Sequence, residues 1–133
     1  THLTFALSGD DDKEAVSAAK GILASFPKID KNGFSAEQKK EYAELESSIK
    51  EHAQHIADNA GNIDHQREHL DLMSEDFYDL LKDFGTPKPV YKVFCPMYND
   101  NKGAFWLSDS REVKNPYLGK EMLSCGEVQE EIK

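Results

Sequence analysis

The chain has 133 residues, 38% of them hydrophobic, and its 25 Asp and Glu against 16 Lys and Arg give a formal net charge of −9. That length supports a single domain with one modest core, and no apolar run approaches the roughly 18 residues that a membrane-spanning helix needs. The acidic balance, with no basic cluster to offset it locally, works against partners such as nucleic-acid phosphates or anionic lipid.

The first residue is Thr1, with no initiator Met and no charged-then-apolar leader. The expectation is a processed or trimmed product of an exported protein. Residues 2–7 read as the end of a helix, closed by Ser8-Gly9-Asp10, with its beginning expected upstream. A second helix is predicted over 11–26, with acidic residues in its first turn, which favours a helix N-terminus. Val16, Ala19, Ile22, Leu23 and Phe26 form its apolar stripe, and Pro27 ends it.

Ser35 and Gln38 make a capping-box pattern that opens a third helix, running to 59. Its stripe is Tyr42, Leu45, Ile49, Ala53 and Ile56, and Asn59-Ala60-Gly61-Asn62 supplies the stop. The fourth helix is predicted over 63–84, with Ile63, Leu70, Met73, Phe77, Leu80, Leu81 and Phe84 on one face. Gly85-Thr86-Pro87 breaks it. Amphipathic helices joined by short turns read as an antiparallel bundle of three to four helices.

Beyond 85–89 the texture changes, with four prolines in thirty residues. Residues 90–94 are β-branched and aromatic, 98–103 are turn-rich, and 104–107 form a second apolar run. Together they predict a short β-hairpin. A further turn at 115–119 precedes Met122, Cys125 and a polar end. The expected fold is therefore mainly α: one domain, 1–133, with a helical bundle over 1–85 and an irregular or hairpin cap over 86–133.

Two groups of side chains carry metal-binding chemistry. Cys95-Pro96-Met97, with Met122 and Cys125, concentrates thiol and thioether sulfurs, soft donors that select Cu(I) or Ag(I). The two cysteines alternatively form a disulfide in an oxidising compartment or are unrelated buried thiols, and the methionines core filler. The second group is imidazole. His52 and His55 lie at i,i+3 on the third helix, His65 and His69 at i,i+4 on the fourth. At about 100° per residue His52 sits at the edge of the apolar stripe and His55 further round, while His69 flanks Leu70 and Met73 and His65 is more exposed. Antiparallel packing lets His52 and His69 face each other across the seam. The plain alternative is amphipathic edge residues satisfied by water or glutamate.

Catalysis has no visible constellation, and the expectation is a non-enzymatic protein. His65-Gln-Arg-Glu-His69 puts its glutamate immediately before the second histidine, whereas zinc hydrolases need it immediately after the first. Nucleophile elbows, Walker loops and dinucleotide glycine motifs are missing. Asp10-Asp11-Asp12 lacks the alternating ligands and glycine of a calcium loop.

The run Phe94-Cys-Pro-Met-Tyr-Asn-Asp-Asn-Lys-Gly-Ala-Phe-Trp-Leu-Ser108, then Asn115-Pro-Tyr-Leu-Gly119, Met122 and Cys125-Gly126, resembles an uncharacterised bacterial family, a domain of unknown function. His52-Ala-Gln-His-Ile56 and Gln66-Arg-Glu-His-Leu70 followed by Met73-Ser74 look like its helical motifs, with Leu70 standing where an aromatic is expected. That family occurs alone as an exported protein or fused to the periplasmic adaptor of CusB-type copper/silver efflux systems. The resemblance implies a periplasmic helical bundle that binds heavy metal, with Cys95, Met97, Met122 and Cys125, and His52, His55 and His69, as candidate ligands. The ion is expected to be Cu(I), with Ag(I) or Zn(II) as alternatives, carried or sequestered for an efflux system. The rival expectation is an interaction module in which a Cys95–Cys125 disulfide pins the tail and Trp106 with Tyr117 forms a docking surface.

Overall fold

A computed structural model describes residues 2–133; Thr1, on which the expectation of a trimmed start rests, lies outside them. Four helices come first: α1 (His2–Ser8), α2 (Asp12–Ser25), α3 (Ala36–Ala57) and α4 (Ile63–Phe84). Their ends follow the local chemistry. Asp11 accepts a hydrogen bond from the Glu14 amide at 3.0 Å and starts α2. Pro27 stands in a 3-10 turn, Phe26–Lys28, that closes it.

The capping box of α3 is complete. The Gln38 amide donates to Ser35 Oγ at 3.1 Å, and the Ser35 amide to Gln38 Oε1 at 2.9 Å. Asn62 caps α4, and Gly85, at φ +82°, ends it in a conformation that favours glycine.

The helices pack in chain order, α1 on α2, α2 on α3 and α3 on α4. On α3 the patterned residues Tyr42, Ile49, Ala53 and Ile56 are buried. On α2 the expected stripe is displaced: Ala15, Ala18 and Ala19 are buried with Phe26, while Val16, Ile22 and Leu23 are only half-buried. Because α2 lies against both α1 and α3, its small side chains take the inner face, where they let the helices approach closely. On α4, Leu70 and Met73 are buried as patterned, but so are Gln66, Arg67 and Ser74. Gln66 Nε2 donates to the Ile56 carbonyl at 3.2 Å and to the Asp12 carbonyl at 3.1 Å, tying α2, α3 and α4 together.

The C-terminal part is a three-stranded antiparallel sheet of β1 (Val90–Cys95), β2 (Ala104–Ser108) and β3 (Glu127–Ile132), in the order β2-β1-β3. The β1–β2 hairpin matches expectation, with Val93 opposite Trp106 and Cys95 opposite Ala104. Its connection is a left-handed turn in which Asn99, Asp100 and Asn101 have φ of 57°, 54° and 64°. Asn and Asp are the non-glycine residues that best tolerate this region.

The third strand corrects the reading of a polar end. Glu127-Val-Gln-Glu-Glu-Ile132 has two apolar residues and too weak an alternation to announce a strand. It is recruited by the free edge of β1, with a bulge at Lys92/Val93. Side chains reinforce it: Tyr78 Oη and Lys82 Nζ on α4 donate to Glu130 at 2.7 and 2.8 Å.

Trp106 and Tyr117 are also not where expected. Both are buried, and the Tyr117 hydroxyl donates to the Phe105 carbonyl at 2.6 Å, so they join sheet to bundle instead of forming a docking surface. Among the described residues no helix is long and apolar enough to cross a membrane.

Candidate metal centre

The turn between α3 and α4 is short, and it brings the last turns of one helix beside the first turns of the other. Gly61, at φ +85°, allows the reversal, and its amide donates to Asp12 Oδ2 at 2.6 Å. Asn62 Oδ1 accepts from the His65 amide at 3.3 Å, and Asn59 Nδ2 donates to the His55 carbonyl at 2.6 Å. The backbones carrying His55 and His65 are thus each tied to the turn.

His69 is the hub of four imidazoles. Its Nδ1 lies 2.9 Å from His52 Nδ1, and its Nε2 lies 3.2 Å from His65 Nε2. The His55 ring stacks on it, with centroids 4.5 Å apart and planes 9° from parallel. His52 and His69 do face each other across the seam, as the helical phases suggest. His65, expected to be the outlying residue, is brought in by its i,i+4 spacing to His69; the spacing was the signal for it.

Ring nitrogens of His55, His65 and His69 lie within 4.8 Å of one another. Three imidazoles around a tetrahedral ion at about 2.0–2.1 Å stand about 3.3 Å apart, a separation that this triangle approaches. Met73, one turn further along α4, is buried in the core.

The electrostatics favour the ligating form. Burial, and then the neighbouring His55, His65 and His52, hold the His69 pKa below the ordinary histidine value, with Glu68 opposing. A neutral ring keeps a lone pair for an ion. Glu68 Oε2 lies 3.3 Å from His65 Nδ1, a carboxylate that favours a proton there, while His65 Nε2 is directed at His69. Carboxylates orient ligating histidines in this way. Asp64, Glu68 and Asp71 line an adjoining groove together with Tyr98, whose hydroxyl pKa is pushed up to about 12, by burial first and then by the Asp71 and Glu68 charges. Arg67 lines the same groove and opposes these charges, so three carboxylates and one guanidinium stand beside the cluster.

The sulfur group divides differently. Cys95 is fully buried on the same face of β1 as Val93, and Cys125, half-buried, precedes β3. Both are free thiols. Burial, the Cys95 charge and a side-chain hydrogen bond with Cys95 push the Cys125 pKa up, which favours its thiol form. Met97 and Met122 are 44% and 40% exposed. The fold thus brings the two cysteines together and the four histidines together on different elements, and turns both methionines to the surface.

No curated protein and no solved structure matches the chain. A family match spans residues 1–88, which takes in all four helices and every histidine of the cluster, while Cys95 and Cys125 lie beyond it. The chain belongs to the family described as "Protein of unknown function (DUF3347)".

Proposed function

We propose that this protein is a periplasmic metal-binding domain that takes up a copper ion at the imidazole cluster and carries or sequesters it for an efflux system. One observation carries the reading: three histidines from two helices converge on His69, with two nitrogen pairs at 2.9 and 3.2 Å. Imidazole suits copper and zinc, and among divalent first-row ions copper binds such sites most tightly. The net charge of −9 attracts cations without choosing among them. The likeness of the Cys-Pro-Met tail to exported, efflux-associated domains supports the periplasmic setting and an adaptor as recipient. In this reading Cys95 and Cys125 are a soft-metal reserve for Cu(I) or Ag(I), which requires their deprotonation.

Titration of the reduced protein with Cu(I), and in parallel with Zn(II), against a chromogenic chelator tests this. One ion per chain is expected at the cluster. His55→Gln/His65→Gln/His69→Gln is expected to weaken capture at least a hundredfold with the helical circular dichroism unchanged, and Cys95→Ser/Cys125→Ser to retain it. A triple histidine variant that competes as well as the wild type overturns the reading.

A second reading rests on the thiol contact. Oxidised to a disulfide, Cys95 and Cys125 would pin the tail of a non-enzymatic interaction module, its docking surface lying elsewhere than Trp106 and Tyr117.

A further inference from the structure

We infer that the histidine cluster holds one ion at a time in either of two positions on opposite sides of the His69 ring, an inference that rests on the metal-binding reading above. The first position lies off Nε2, where His65 Nε2 stands 3.2 Å away; ring nitrogens of His55, His65 and His69 lie within 4.8 Å of one another, so His55 is the third residue within reach of that pair. The second lies off Nδ1, where His52 Nδ1 stands 2.9 Å away. An imidazole's two nitrogens point away from each other, so no single ion is bound by both. His52 and His65 thus belong to different positions although both touch His69.

The tautomers of the rings are linked. A proton on His65 Nδ1, beside Glu68 Oε2 at 3.3 Å, would make His65 Nε2 the acceptor for a His69 Nε2–H. His69 Nδ1 is then the lone pair, and His52 Nδ1–H donates to that. A neutral ring has one lone-pair nitrogen. For an ion to move from Nδ1 to Nε2, the proton on His69 must change nitrogens in the opposite direction. One ring therefore serves both positions but not both at once. His55 is exposed while His52 is half-buried, so the three-histidine position is the outer one and the pair is the inner one. An ion captured outside reaches the seam by leaving His69 Nε2 and being taken up again at Nδ1, with His69 the ligand common to both positions.

The test is the histidine 15N spectrum of protein loaded anaerobically with Cu(I), a diamagnetic ion; the readout is local, so ion held by thiols does not register. His52→Gln is expected to leave copper on His69 Nε2. His55→Gln/His65→Gln is expected to leave it on His69 Nδ1 with at least tenfold weaker affinity, and His69→Gln to abolish both. All three changes fall on exposed or half-exposed side chains, and circular dichroism verifies the fold. Copper on the same His69 nitrogen in both variants, or two coppers on the wild-type histidines, overturns the inference while leaving metal binding intact. No histidine nitrogen bound in any variant instead removes the metal reading itself.

Discussion

Arg67 Nη2, on the second turn of α4, lies 2.8 Å from Asp10 Oδ1, in the turn between α1 and α2. The same nitrogen donates to the Leu7 carbonyl at 2.8 Å, and Nε donates to the Pro116 carbonyl at 2.7 Å. One buried guanidinium therefore joins the end of α1, the start of α4 and the C-terminal tail. It stands between His65 and His69 in sequence, so the helix carrying the cluster is anchored on its opposite side.

Replacing Arg67 by Met leaves two buried carbonyls without these donors and Asp10 without its partner. The expected loss is on the order of 3 kcal/mol in urea unfolding. Arg67→Lys is expected to recover only a minor part, because a single ammonium cannot reproduce the planar fork that serves three acceptors.

The same pair makes stability depend on acid. The hydrogen bond with Arg67 holds the Asp10 carboxyl below the ordinary carboxylate value, with the Lys120 amide and the Arg67 charge helping and burial opposing. A depressed folded pKa contributes stability above the unfolded value of about 3.9, and this is lost as pH falls through the folded pKa. The stability difference between wild type and Asp10→Asn is expected to be constant from pH 7 to pH 5 and to shrink below pH 4. Asp10 is partly exposed and screened, so the effect is small. A difference that grows in acid would contradict the assignment.

Asn115 is fully buried and organises the tail. Its Nδ2 donates to the Cys125 carbonyl at 2.7 Å, and its Oδ1 accepts from the Tyr117 and Leu118 amides at 2.8 and 2.9 Å. Asn115→Ala is expected to cost about 2–4 kcal/mol, since one buried and two partly buried backbone groups lose a partner. It should also loosen the Cys125 segment, read as faster labelling of that thiol.

Gly119 sits against the same junction at φ +63°, where an added Cβ would overlap the Asp10 carboxylate and come within 2.6 Å of Arg67 Nη2. Gly119→Ala is expected to destabilise by roughly 2 kcal/mol or more, through backbone strain and displacement of the ion pair. The urea midpoint reads this directly.

In the native reduced protein Cys125 is expected to react slowly with a thiol reagent, because its pKa is pushed up, and Cys95 not at all until the chain unfolds, because it is wholly buried. A small oxidised disulfide reagent should convert the pair to the Cys95–Cys125 bridge by exchange, releasing two equivalents of reduced reagent. Closing a loop of about thirty residues stabilises by roughly 3–4 kcal/mol. Oxidation without any gain in the unfolding midpoint would weigh against the disulfide reading.

Local chemistry in the sequence by itself determined the limits of the helices, the inner face of α3 and the β1–β2 hairpin. A capping box, a proline, a glycine at positive φ or a regular apolar spacing acts on its own neighbours, and needs no distant partner. The meeting of His52 with His69 was legible for the same reason: helical phase plus a short turn places it. What crosses between elements was decided only by the tertiary structure. Three-way packing turned α2 onto its alanines, the edge of β1 made a strand of Glu127–Ile132, and carbonyls from α1 and the tail drew Arg67 inside. Tertiary packing also buried Trp106 and Tyr117, turned Met97 and Met122 outward and stacked His55 on His69, because burial and contact between elements depend on which surfaces meet, and the spacing of residues along a single element does not state that.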